Sequence, residues 1–143
     1  MAKVKEFWEY LCGELDYRFF AGVVCNGLKP LYNKMSSEFM HYIPAVNEKV
    51  ALGIINGARL AGVKGAVLMD GKYLNDIITT LDSFNLEYEV PVLIICYGEL
   101  RKPSKNYIVG KSDLGNLIKK LEKGSKPGIF FIGEGELKWK DLV

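Results

Sequence analysis

The first place in this chain where chemistry could be done is a carboxylate at the start of a helix. Pro44-Ala45-Val46 closes an apolar run, Asn47 and Glu48 follow, and a helical pattern rich in small residues comes next: Ala51, Gly53, Gly57, Ala58 and Ala61. Glu48 then has two readings. It is either a surface carboxylate facing the positive end of the helix dipole, worth about 0.3–1 kcal/mol, or a group that handles a proton for a ligand. The single histidine, His41, excludes sites built on several histidines, and its apolar surroundings favour a structural role. Cys25 ends an apolar run with no base near it in sequence, which favours a small core residue over a nucleophile. Asp70-Gly71-Lys72 places two opposite charges in one turn. The basic stretch from Arg101 through Lys105, Lys111 and Lys120 to Lys126 reads as a solvated face. Aromatics are sparse within it, so nucleic acid is not an expected partner. No GxGxxG, GxxxxGK[ST] or GxSxG motif is present; Gly133-Glu134-Gly135 comes too late, with no helix of sufficient length after it.

The elements that must position these residues alternate. Val4, Phe7, Trp8, Leu11 and Cys12 recur at helical spacing over 3–14. An apolar run at 18–25 reads as a buried strand, and 28–39 as a helix with Pro30 in its first turn. An irregular strand is expected at 40–46, a helix at 49–61 ended by Gly62, and a strand at 65–69 stopped by Asp70-Gly71. Leu74, Ile77, Ile78 and Leu81 mark one face of a helix over 73–84. Residues 90–97 are apolar on both faces, as a central parallel strand must be. A short run at 107–109, a helix capped by Ser112-Asp113 and a last buried strand at 127–133 complete the pattern, with Leu137, Trp139 and Leu142 in a short tail. Strands alternating with helices predict an α/β fold with a mostly parallel sheet. Ligands bind such sheets outside the carboxyl ends of the strands. That rule selects Cys25-Asn26-Gly27, Asn47-Glu48, Asp70-Gly71-Lys72 and Tyr97-Gly98-Glu99.

Bulk properties bound the answer. A chain of 143 residues suits one domain over 1–143, and 49% hydrophobic content fills a core. A net charge of +2 does not argue for nucleic acid or an anionic membrane. Three cysteines without CxxC spacing fit a reduced, cytoplasmic protein and supply neither a disulfide framework nor a zinc site. Glu6 and Glu9 interrupt any signal-peptide core, and no apolar run is long enough to span a membrane.

Gly22-Val23 followed by Leu28-Lys29-Pro30-Leu31 is similar to a segment of sulfopyruvate and phosphonopyruvate decarboxylases. Asn47-Glu48 with Gly57 and Leu60-Ala61 resembles the asparagine-glutamate helix of that family. Lys102-Pro103, Val109-Gly110 and Leu117 echo a later segment, and the likeness runs over roughly residues 15–125. It implies the three-layer αβα fold of the pyrimidine-binding (PYR) domain of thiamine-diphosphate enzymes. It gives Glu48 a role, hydrogen bonding to N1′ of the aminopyrimidine so that the cofactor is activated for decarboxylation of a small 2-oxoacid. Burial of that carboxyl at a subunit interface favours a shared proton, while the helix dipole opposes it. The implied cofactor contacts are Glu48, Asn47, Cys25 and Asn26, and the implied substrate contacts are Asp70, Gly71 and Lys72. The GDG diphosphate motif is missing, since Asp70-Gly71 follows Met69. Diphosphate and Mg²⁺ are therefore expected on a partner PP-type subunit of a hetero-oligomer.

The chain departs from the family where polar residues matter. The family's proline-aspartate-serine is here Val24-Cys25-Asn26, and its glutamine-asparagine-serine turn is Asp70-Gly71-Lys72. Two further readings therefore stand beside the enzymatic one: a non-catalytic PYR-like oligomerisation or regulatory module, and a flavodoxin-like domain holding another ligand at the same strand ends.

Overall fold

The computed structural model describes residues 2–35 and 40–133. The tail with Leu137, Trp139 and Leu142, and residues 134–135 of the glycine pair, lie outside them.

Among the described residues six strands form one sheet in which every pairing is parallel: β1 (Phe19–Gly22), β2 (His41–Pro44), β3 (Gly65–Asp70), β4 (Val92–Tyr97), β5 (Ile108–Gly110) and β6 (Pro127–Ile132), in the order β2-β1-β3-β4-β6-β5. Strand residues alternate between two cores, as the two-residue period of a strand requires. Phe20, Leu68, Leu93, Ile95 and Phe130 face one way, against Phe7, Trp8 and Leu11 and the helix carrying Leu117 and Leu121. Ala21, Val67, Met69, Ile94, Cys96 and Ile129 face the other way, against Leu52, Ile55, Ile77 and Leu81. Helices therefore cover both faces: α1 (Ala2–Trp8), α2 (Lys29–Tyr32) and α5 (Leu114–Gly124) on the first, α3 (Glu48–Leu60) and α4 (Asn75–Thr80) on the second. This is the three-layer αβα arrangement expected from the sequence. Pro44 is accommodated because β2 is an edge strand, where a missing N–H breaks no ladder.

Three local expectations need correction. The helix expected over 28–39 is a 3₁₀ turn (Asn26–Leu28) and one α-helical turn, α2, after which Asn33 and Lys34 form a turn; residues 36–39 lie outside the described residues. The helix expected over 73–84 starts in a 3₁₀ turn (Gly71–Tyr73) and ends in a π-helical segment (Leu81–Leu86). Asn85 sits in that segment, fully buried, and exchanges hydrogen bonds with Asn56 of α3 at 2.8 and 3.2 Å while donating to Val90 O at 3.0 Å. Periodicity cannot foresee a polar clip that draws α3 against the chain leading into β4. His41, read from its apolar surroundings as structural, is exposed on the edge strand.

At the amino ends of the strands, one ion pair joins the two helical layers. Arg59 of α3 meets Glu122 of α5 through both guanidinium nitrogens, and the buried Tyr17 hydroxyl donates to the same carboxylate at 2.8 Å. Burial works to raise the Glu122 carboxyl, but the hydrogen bonds from Arg59 and Tyr17 outweigh it and hold the group below its ordinary value. Among the described residues no helix is long and apolar enough to cross a membrane.

Candidate functional site

Because all six strands run the same way, their carboxyl ends share one edge, and the four segments selected from sequence meet there. Three of the four line two separate hollows rather than one.

The first hollow is built by the start of α3 and the exposed side of α4. Asn47 has extended backbone angles (φ −158°, ψ 173°) and its Oδ1 accepts from Val50 N at 2.9 Å, capping the helix. Its Oδ1 is thus committed to α3, while the residue also lines the hollow. Glu48, the first helical residue, is only 7% exposed. Its carboxylate has no hydrogen-bond or ion-pair partner among the described residues. It lines a hollow of about 410 Å³ with Asn47, Lys49, Asn75, Asp76 and Thr79. Most of the Glu48 side chain is packed away while its carboxylate oxygens reach the open hollow, where a ligand can pair with them. Asn75 and Thr79 were missed from sequence. The available signal was their spacing, four apart on the polar side of α4, which puts both side chains on one face.

The second hollow, about 340 Å³, lies between the ends of β3 and β4 and is lined by Asp70, Gly71, Lys72, Tyr97, Glu99 and Arg101 among others. Asp70 Oδ1 accepts from Lys72 N at 3.0 Å and turns the chain out of β3. Gly71 is buried so tightly that a Cβ there would lie 2.8 Å from Tyr97 O and 3.2 Å from Cys96 Sγ. Arg101 Nη2 donates to Gly71 O at 2.6 Å, tying the loop after β4 to the turn after β3. The Lys72 ammonium stands 5.2 Å from the centre of the Tyr73 ring. Arg101, read from sequence as part of a solvated basic face, is thus a wall of this hollow. Only the parallel pairing of β3 with β4 brings residues 30 apart into contact.

Cys25 and Asn26 line neither hollow. They belong to the turn after β1, which is braced by the Tyr97 ring packed flat on Gly27, where a Cβ would lie 2.3 Å from the ring. Burial pushes the Cys25 thiol up, the Leu28 amide pulls it down, and the charges of Asp70 and Lys72 reach it with opposite signs. The structure therefore brings Cys25 near Asp70 and Lys72 but keeps this group apart from the Glu48 hollow. A thiol raised in this way is a poor nucleophile at neutral pH. Cys96, fully buried behind Gly71, is pushed up to about 12 by burial, with Arg101 acting in the opposite sense.

No family model matches the chain. It is similar to sulfopyruvate decarboxylase subunit alpha of Methanococcus maripaludis, 32% identical over 104 residues that make up 72% of this chain and 61% of that one. The corresponding subunit of Methanocaldococcus jannaschii is 33% identical over 104 residues, 72% of this chain and 60% of that one. The chain thus spans less than two thirds of the length of the curated relatives it matches. Among solved structures, 2-oxoglutarate:ferredoxin oxidoreductase from Magnetococcus marinus superposes with a TM-score of 0.66 over 96% of this chain and 29% of that one. At 16% identity that likeness shows the fold alone. The resemblance carried by the Gly22-Val23, Leu28-Lys29-Pro30-Leu31 and Asn47-Glu48 segments is borne out: the chain is a sequence relative of sulfopyruvate decarboxylase alpha subunits.

Proposed function

From this kinship we propose that the chain is the PYR-type half of a two-subunit, thiamine-diphosphate-dependent 2-oxoacid decarboxylase. The observation that carries the reading is Glu48, a largely buried residue whose carboxylate has no partner among the described residues, at the ligand-binding edge of a parallel sheet. A ring nitrogen able to share a proton is the partner such a group lacks. When bound, thiamine diphosphate supplies the nucleophilic carbon and the electron sink for decarboxylation. The part of this chain is to hold a proton at the Glu48 carboxylate against that ring. Asn47 fixes the first turn of α3, and with it the Glu48 backbone, while Asn75 and Thr79 offer polar groups across the hollow.

The donor set supports a partner. Among the described residues no three of His, Cys, Asp and Glu are grouped to hold a metal ion, so Mg²⁺ and the diphosphate are assigned to a PP-type subunit. Val46, 86% exposed, and the exposed Val50 flank Glu48 and give that subunit an apolar surface to cover. The hollow at Asp70, Gly71 and Lys72 is proposed as the substrate side, extended by Arg101. Co-expression with a PP-type subunit, thiamine diphosphate and Mg²⁺ should release CO₂ from one or more of a panel of 2-oxoacids, sulfopyruvate included.

A second reading has its own support. The Glu48 hollow and the Asp70–Lys72 hollow are separate, and Cys25-Asn26 replaces polar family residues beside the second. A PYR-like oligomerisation or regulatory module would keep the fold and lose turnover. Assembly with the partner without CO₂ release from any member of the panel would favour it.

A further inference from the structure

We propose that the hollow at the opposite edge of the sheet, between α1 and the start of β2, is a second binding site, for a small amphiphilic anion: a carboxylate or sulfonate on an apolar body. It has a volume of about 490 Å³, larger than either hollow at the Glu48 edge. Its apolar walls are Trp8, Cys12, Gly13 and Met40. The Trp8 indole is locked by donating to Leu31 O at 2.9 Å, so the wall is preformed. Burial pushes the Cys12 thiol up to about 11, which keeps it neutral and the wall apolar at physiological pH.

The rim decides the sign of the ligand. Among the described residues, Lys5, Arg18 and Lys34 line it with Glu9. Arg18 spends its Nε on Asp16 at 3.1 Å, an exposed pair of small worth. Lys5 and Lys34 have no ion-pair partner among the described residues. An apolar pocket with convergent cations at its mouth fits an apolar body carrying one negative charge. Arg18 and Met40 immediately precede β1 and β2, whereas Glu48 follows β2, so the site lies at the other end of the strands from the Glu48 hollow and does not depend on the proposed decarboxylase activity.

The test uses the full 143-residue chain with Trp139→Phe, so that Trp8 is the sole tryptophan reporter. Octanoate and octanol, equal in chain length and different in charge, are titrated against its fluorescence. Saturable binding of octanoate, with octanol about fivefold weaker, is expected. Lys34→Glu should weaken octanoate by about the same factor and leave octanol unchanged. Equal affinity for the two probes would overturn the cationic rim, and no saturable change with either would overturn the site. So would a fluorescence change that follows dissociation of a dimer in sedimentation, since the occupant would then be a second copy.

Discussion

Glu48→Gln separates the structural from the functional reading of the residue around which the proposed site is built. The substitution keeps shape and volume and removes one charge. Two stability terms then oppose each other. The charge at the first position of α3 gains about 0.3–1 kcal/mol from the helix dipole, and the glutamine forgoes it. The residue is only 7% exposed and its carboxylate has no partner among the described residues, so removing the charge also relieves what part of its hydration the hollow takes away. No hydrogen bond among the described residues is lost. The net change is expected within about 1 kcal/mol of zero, or a Tm shift of about 2–4 °C at most for a chain of this size. Turnover of the reconstituted complex should fall by about 10²–10⁴, the range for losing a positioned proton-handling group. The assays are thermal unfolding of the isolated chain and CO₂ release by the complex, with assembly checked by sedimentation. Turnover near the parent value refutes the functional role. A loss of stability well beyond 1 kcal/mol refutes the premise that Glu48 has no partner among the described residues.

Three further outcomes follow from the packing. Glu122→Gln should cost about 1.5–3 kcal/mol at neutral pH, the worth of hydrogen bonds to a charged group, because it leaves the Arg59 guanidinium, 24% exposed, without its counter-charge. Glu122 is held below its ordinary value of 4.5, so its contribution is full above that pH and is lost as pH falls through the lower folded value. Chemical denaturation of parent and variant should therefore converge in strong acid, and a difference that persists there would contradict the assignment. Asn85→Ala should cost about 2–4 kcal/mol by denaturant unfolding, since it opens a space in a fully buried site and strands the Asn56 amide. Ser125 ends α5 in the left-handed region at φ 51°, so Ser125→Gly should raise stability by several tenths of a kcal/mol up to about 1 kcal/mol, and a decrease would show that the serine side chain matters there.

The sequence by itself determined the layers. Runs such as 90–97 and 127–133 are apolar at every position, which suits strands covered on both faces. The helices at 48–60 and 114–124 announced themselves by cap and period: Asn47 and Asp113 each accept an amide three residues on. The position of Glu48 at a helix start following a strand was also legible, because cap and pattern are sequence-local. Its lack of a partner was not, for burial depends on how α4 lies beside α3. Tertiary structure alone decided that Arg101 reaches back 30 residues to Gly71, and that Asn56 and Asn85 close on each other. It also decided that the Glu48 group and the Asp70–Lys72 group open into different hollows. Periodicity reports which face of an element is apolar. The spacing of parallel strands, and the helices laid across them, determine which polar groups at the shared edge come within reach of one another.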